Sequence, residues 1–186
     1  YSINDLRKLL KKNNLKKPIK VKKSINEKFK TSSPNSFYGF TKLASEKLII
    51  ETFFNTNLKY LINRFSVIAG PWQFGKQDQG FVPMWIARHL FKKKLSYIGF
   101  GGNGHQVRDI IHIDDVCEII LIQIKNISKI YNDIFNIGGG LKNSISLNDL
   151  TLKSQKITKN IVKIKRISKT SIYDIPYFVT DNTKIK

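Results

Sequence analysis

The sequence predicts a mixed α/β fold in which strands alternate with helices. Three observations carry that prediction. Short runs rich in β-branched and aromatic residues recur along the chain, helical patterns stand between them, and Gly, Pro or Asn punctuates the intervals. Residues 4–12 predict a basic helix, and 15–33 a polar, lysine-rich connection. Residues 36–55 predict a long helix with Leu43, Leu48, Ile49 and Phe53 as apolar positions. LKYLINRFSVIAGP (58–71) predicts one strand running into a loop closed by Gly70-Pro71. GFVPMWIARHLFKKK (80–94) predicts a helix, and LSYIGF (95–100) and QVRDIIHI (106–113) predict short strands around a glycine turn. DDVCEIILIQIKN (114–126) predicts a helix whose opening acids suit the positive end of its dipole. IFNIG (134–138) predicts a strand, SLNDLTLKSQKI (146–157) a helix with Ser146 as N-cap, and NIVKIKRI (160–167) a strand.

Composition bounds the function. The 186 residues, 41% hydrophobic, suit one domain with a real core. No apolar run reaches the length of a membrane span and no signal peptide stands at the start, so the expectation is a cytoplasmic protein without a membrane partner. Cys117 is the only cysteine, which excludes an internal disulfide. The chain begins at Tyr1 and its only methionine is Met84, so it reads as a fragment or a processed piece. Net charge is +20, yet only five of the 33 basic residues are arginine and no aromatic-interleaved basic motif appears. The excess of Lys, Ile and Asn fits A/T-rich codons, and the expected partners exclude specific nucleic acid.

The candidate chemistry centres on Tyr38 and Lys42. Residues four apart share a helix face. An ammonium beside a phenol stabilises the phenolate, and such a tyrosine can take a proton from an alcohol at neutral pH. Taken alone, the spacing favours a packed tyrosine and a solvated lysine, because unrelated Tyr–Lys pairs are common on helices. GFGGNG (99–104) satisfies G-x-G-x-x-G, but the fingerprint needs a helix directly after the glycines and HQVRDIIHI reads as a strand, so the stretch is a turn. His112 and Asp115 are too few for a metal site, and His112 reads as a hydrogen-bonding residue before a helix. Cys117 falls on the stripe Ile113, Val116, Ile120, Leu121, Ile124 and is expected to be buried.

SPNSFYGFTKLASEKLI, RFSVIAGP, GNGHQVRDIIHIDDV and FNIGGGLKNSISLNDL, in that order, resemble segments of the extended short-chain dehydrogenase/reductase family, over residues 33–185. The resemblance implies the C-terminal part of a Rossmann-type fold with a smaller α/β substrate-binding lobe. Residues 1–71 would supply the remainder of the Rossmann part and 72–186 mostly the lobe. It implies an enzyme that uses NAD, with Tyr38 as acid/base and Lys42 on the nicotinamide ribose. Arg64 and Ser66 would lie beside the nicotinamide. QFGKQDQGFV, with Asp78-Gln79-Gly80, resembles the CDP-paratose and CDP-tyvelose 2-epimerase branch of the family. That implies a nucleotide-diphosphate sugar, a CDP-sugar, oxidised to a ketone and reduced again by the same cofactor. Gln73, Asp78 and Gln79 would lie on the substrate loop, or are simply solvated. Arg108 would bind the pyrophosphate, or pair with Asp109. Homo-oligomerisation would run through the Tyr–Lys helix.

Departures accompany the matches. No glycine-rich strand–loop–helix precedes Tyr38, where the family carries its NAD site and a catalytic Ser or Thr. Ser171 stands where relatives carry a phosphate-binding Arg, although Asp174 is retained. A sugar-nucleotide 4-epimerase or dehydratase, an inactive remnant, and a basic binding protein therefore stay open as alternatives.

Overall fold

The computed structural model describes residues 8–31, 36–76 and 79–186. The predicted helix over 4–12 lies partly outside these residues; positions 8–10 are helical. The long helix forms as α1 (Phe37–Phe53), begun by Ser36, whose hydroxyl accepts from Gly39 N at 2.9 Å.

The single strand expected over 58–71 is two. β1 (Leu61–Phe65) and β2 (Val67–Ala69) separate at Ser66. The reason is a change of partner. β1 pairs in parallel with β5 (Asp133–Ile137), whereas β2 pairs in parallel with β4 (Val107–His112). Ser66 bridges the two, its N–H donating to Ile137 O at 2.9 Å and its hydroxyl to Asp109 O at 2.8 Å. β4 also pairs antiparallel with β6 (Ser144–Ser146) and in parallel with β8 (Tyr177–Phe178). A third, two-stranded sheet joins β3 (Leu95–Ile98) to β7 (Ile164–Ile167) in parallel. β7 starts later than predicted because Lys159 takes a left-handed conformation and Asn160 turns to α2 (Phe81–Leu90), donating to His89 O at 3.1 Å.

Three apolar clusters hold these sheets. Trp85 of α2 stacks on Tyr97 of β3 at 5.8 Å between ring centroids. Both donate to the Thr151 hydroxyl, at 2.9 and 2.7 Å, which itself donates to Leu147 O within α5 (Leu147–Thr158). That hydroxyl is saturated, so it sits in the core without a desolvation penalty. Ser146 caps α5 as predicted, in a reciprocal capping box with Asp149. Ile111, Val116, Phe135 and Ile137 form the second cluster, and Ile25, Val107, Tyr177 and Val179 the third.

α3 (Ile113–Lys125) corrects one expectation. Cys117 is exposed, not buried. The helix turns Ile113, Val116 and Ile119 toward the sheet, followed by Gln123, which exchanges hydrogen bonds of 2.7 and 2.9 Å with Asn63. Leu121 and Ile124 share the outer side with Cys117. The short α4 (Ile127–Ile130) leads into β5. The glycine stretch at 99–104 is a turn, as predicted, with Gly99, Gly101, Gly102 and Gly104 all at positive φ. Among the described residues, no helix is long and apolar enough to cross a membrane.

Candidate active site

Along α1 the half-buried positions are Ser36, Gly39, Leu43, Glu46, Ile50 and Phe53, the alternating three-and-four spacing of a helix resting on its neighbours. Tyr38 and Lys42 stand one step round from that seam, both on its same side. Tyr38 is 71% exposed, and Lys42 Nζ lies 5.4 Å from the centre of its ring. A cation over a phenol at this distance is held electrostatically, and both groups reach open space.

Arg64 on β1 fastens the helix. Its Nε and one terminal nitrogen donate to the two oxygens of Glu46 at 2.8 and 2.6 Å, a two-pronged pair with both side chains largely covered. The bond to Glu46 raises the guanidinium above its ordinary pKa, so it stays charged. Glu46 lies one turn beyond Lys42, and Arg64 therefore fixes the rotation of the face that carries Tyr38. Its guanidinium is committed to that carboxylate. Phe53 packs edge-on against Tyr60 at 5.8 Å and secures the far end.

Ser66, two residues on, is likewise engaged inside the protein. Asp109 is fully buried and accepts from the Ser66 and Thr180 hydroxyls and from Gly140 N, the last at 2.9 Å. Gly138 lies against this knot with no room for a side chain. A Cβ there would collide with Thr180 Oγ1, Asp109 Oδ2 and Ser66 Cβ. The chain order gave one signal of this, the run Gly138-Gly139-Gly140, where backbone approaches closely. The part played by Thr180 left no mark in the sequence.

Arg108 pairs with Asp174 rather than Asp109, donating to Asp174 Oδ1 at 2.8 Å and to the carbonyls of Ile175 and Val107 at 2.6 and 2.8 Å. Burial pulls its pKa below the ordinary arginine value, against the opposing pull of Asp174 and then Asp109. Gln73 is exposed and donates to Ile68 O at 3.2 Å. Gln79 is exposed and exchanges backbone bonds with Lys76. Asp78 lies outside the described residues. His112 caps α3, its ring nitrogen accepting from Asp114 N at 3.2 Å, in keeping with the role expected of it.

Residues 15–138 match the NAD dependent epimerase/dehydratase family, a span that takes in α1, the Arg64–Glu46 clamp and the Ser66–Asp109 junction. The chain belongs to that family. CDP-paratose 2-epimerase of Salmonella typhi is 34% identical over 119 residues, covering 62% of this chain and 35% of the Salmonella protein. UDP-glucuronate 4-epimerase 4 of Arabidopsis thaliana is 26% identical over 165 residues, covering 80% of this chain and 36% of that one. Among solved structures, UDP-glucose 4-epimerase of Thermotoga maritima with UDP-glucose superposes with a TM-score of 0.69 at 26% identity, over 79% of this chain and 45% of that one. The Thermus thermophilus UDP-glucose 4-epimerase complex with NAD gives 0.75 at 18% identity, over 93% and 54%. The fold is thus the Rossmann-type α/β arrangement of the epimerase/dehydratase family, as expected. The chain spans about a third of the curated relatives' length and about half of the solved structures'.

Proposed function

We propose that this chain supplies the Tyr–Lys helix and the substrate lobe of an NAD-dependent nucleotide-sugar epimerase, acting on a CDP-sugar at C2. The observation that carries the reading is the placement of Tyr38 and Lys42 on one open face of α1, with the rotation of that face set by the Arg64–Glu46 pair.

NAD, when bound, accepts hydride from the sugar carbon and returns it. Tyr38 and Lys42 fit such a cofactor, because both are exposed and the lysine stands beside the phenol. Arg64 and Ser66, held by Glu46 and Asp109, act in this reading by placing the helix and the β1–β2 corner rather than by direct contact. Tyr38 removes the hydroxyl proton as the carbon loses hydride, leaving a ketone. Once the ketone presents its opposite face and is reduced there, Tyr38 would return the proton to the oxygen. Arg108, fixed beside Asp174, offers positive charge to the substrate diphosphate. Gln73 and Gln79, both exposed, belong in this reading to the loop beside the sugar. In the complete enzyme, α1 also serves as the contact between two copies of the chain.

The test is a chimera joining the N-terminal half of the Salmonella CDP-paratose 2-epimerase to this chain, assayed on CDP- and UDP-sugars. CDP-sugar epimerisation at C2 is expected. Tyr38→Phe should lower turnover by about 10²–10⁴ with the fold intact. Activity on UDP-sugars alone would favour the 4-epimerases also found among the relatives, and an unchanged rate for Tyr38→Phe would remove that residue from the chemistry.

A further inference from the structure

Ten of the 33 basic residues, all of them lysines, fall within residues 8–31, which hold only one of the 13 acids. All ten are exposed. The one acid, Glu27, is turned inward, where its carboxylate accepts from Asn136 N at 2.8 Å. None of these lysines belongs to an ion pair among the described residues. A codon bias raises lysine along the whole chain, but it does not clear the acids from one stretch.

This stretch is held as a strap against the rest of the protein. At one end Leu15 N donates to Phe100 O at 2.9 Å, Asn103 Nδ2 to Leu15 O at 3.2 Å, and the Thr170 hydroxyl to Asn13 O at 3.0 Å. At the other, Ile25 N donates to Val179 O at 2.7 Å, Asp181 N to Ile25 O at 2.9 Å, and the Tyr177 hydroxyl to Lys23 O. Between these anchors Ile19 and Val21 pack against the cluster of Ile25, Val107, Tyr177 and Val179, while Lys20 and Lys22 point out. The backbone that carries Lys16, Lys17, Lys20, Lys22 and Lys23 is thus ordered before any partner arrives, which lowers the entropy lost on binding.

We infer that the strap docks on the phosphate backbone of a nucleic-acid duplex, without regard to base sequence. A duplex presents one negative charge per about 1.7 Å of axis, and a fixed row of unpaired ammonium groups meets it at several points at once. Residues 8–31 hold no arginine to fork onto a base edge. Their only aromatic, Phe29, packs on the core rather than standing out to stack. A membrane fits less well, because stable attachment combines charge with an inserted apolar group. The apolar side chains of the strap face the core instead.

The probe is a fluorescently labelled DNA duplex, titrated with the 186-residue chain and followed by anisotropy from about 50 mM salt upward. A duplex of unrelated sequence and phosphatidylserine vesicles are run alongside. Equal affinity for the two duplexes is expected, with log K falling against log salt at a slope of about −4, the counterion release of roughly five phosphate contacts. Lys16→Gln, Lys17→Gln, Lys20→Gln, Lys22→Gln and Lys23→Gln together should weaken binding by about tenfold or more and remove most of that slope. Lys153→Gln, Lys156→Gln, Lys163→Gln, Lys165→Gln and Lys169→Gln take the same charge from outside the strap. They should change affinity by less than about threefold, since salt screens charges more than a Debye length away. Every substituted side chain is exposed, so both variants keep the fold. Equal losses in the two variants would reduce the effect to net charge and overturn the strap. A preference for one duplex, salt-independent binding, or tighter binding to vesicles than to duplex would overturn the partner.

Discussion

At Asp109 one fully buried carboxylate holds Ser66, Thr180 and Gly140 N together, and with them two sheets and the C-terminal segment. A buried anion is tolerable only when donors surround it. Asp109→Asn keeps the shape but replaces an acceptor oxygen with a donor, and should cost about 3 kcal/mol, read as a lower denaturant midpoint at unchanged slope. Gly138→Ala presses a methyl group into the same knot and should cost about 2 kcal/mol or more. Tyr177 supplies a pH-dependent contribution of its own. Its hydroxyl donates to Lys23 O and is buried, which pushes the phenol up to about 12, with the backbone bond opposing the shift. The folded state therefore keeps the proton that an unfolded tyrosine, with a pKa of about 10, gives up. The contribution is fully present below about pH 10 and is lost as pH rises toward 12. The stability difference between the wild type and Tyr177→Phe, measured by urea unfolding, should hold constant up to about pH 10 and shrink steadily above it.

The helix α1 shows what one element's sequence reveals and what it leaves out. The helical run over 36–55, the shared face of Tyr38 and Lys42 and the Ser146 start of α5 follow from spacing and capping chemistry alone, whereas the Ser36 cap of α1 and the Asp149 half of the α5 capping box are what the structure adds. The partner of Glu46 does not follow from spacing either, because Arg64 lies 18 positions away and meets it only through the fold. Glu46→Gln should loosen α1 by about 1–2 kcal/mol, seen as faster amide exchange across residues 39–50 while β3 and β7 keep their protection. The split of β1 from β2 was equally invisible, since Arg64 through Ile68 read as one continuous strand until the partners of each half are known. Cys117 failed for another reason. α3 carries apolar residues on both of its sides, so periodicity marks a stripe without saying which one meets the sheet. The paired amides of Asn63 and Gln123 settle it by placing polar groups at the contact.

At the scale of the whole molecule, the described residues leave much apolar surface open. Phe37, Phe40 and Leu48 on α1, and Leu121, Ile122 and Ile124 on α3, are all more than half exposed. β1 and β5 form a sheet of only two strands among the described residues, with backbone groups free at both edges. Patches of this kind on one chain mark surfaces that other structure covers. The net charge of +20 keeps copies apart at low salt, and that repulsion weakens as salt screens it. The 186-residue chain on its own should therefore sediment as a monomer at low ionic strength and associate as salt is added. The described residues offer NAD few contacts of their own in the proposed reading. The glycine turn at 99–104 leads into β4 rather than a helix, so no helix N-terminus follows it to meet a pyrophosphate. In the proposed reading, Lys42 and Tyr38 would supply only a small part of a dinucleotide site. Calorimetric titration of the chain with NAD should show no saturable binding in the micromolar range, and the chimera carrying a glycine-rich half should restore it. Micromolar binding by the 186-residue chain alone would mean that its own turns cradle the cofactor, and would return attention to Gly99, Gly101 and Gly104.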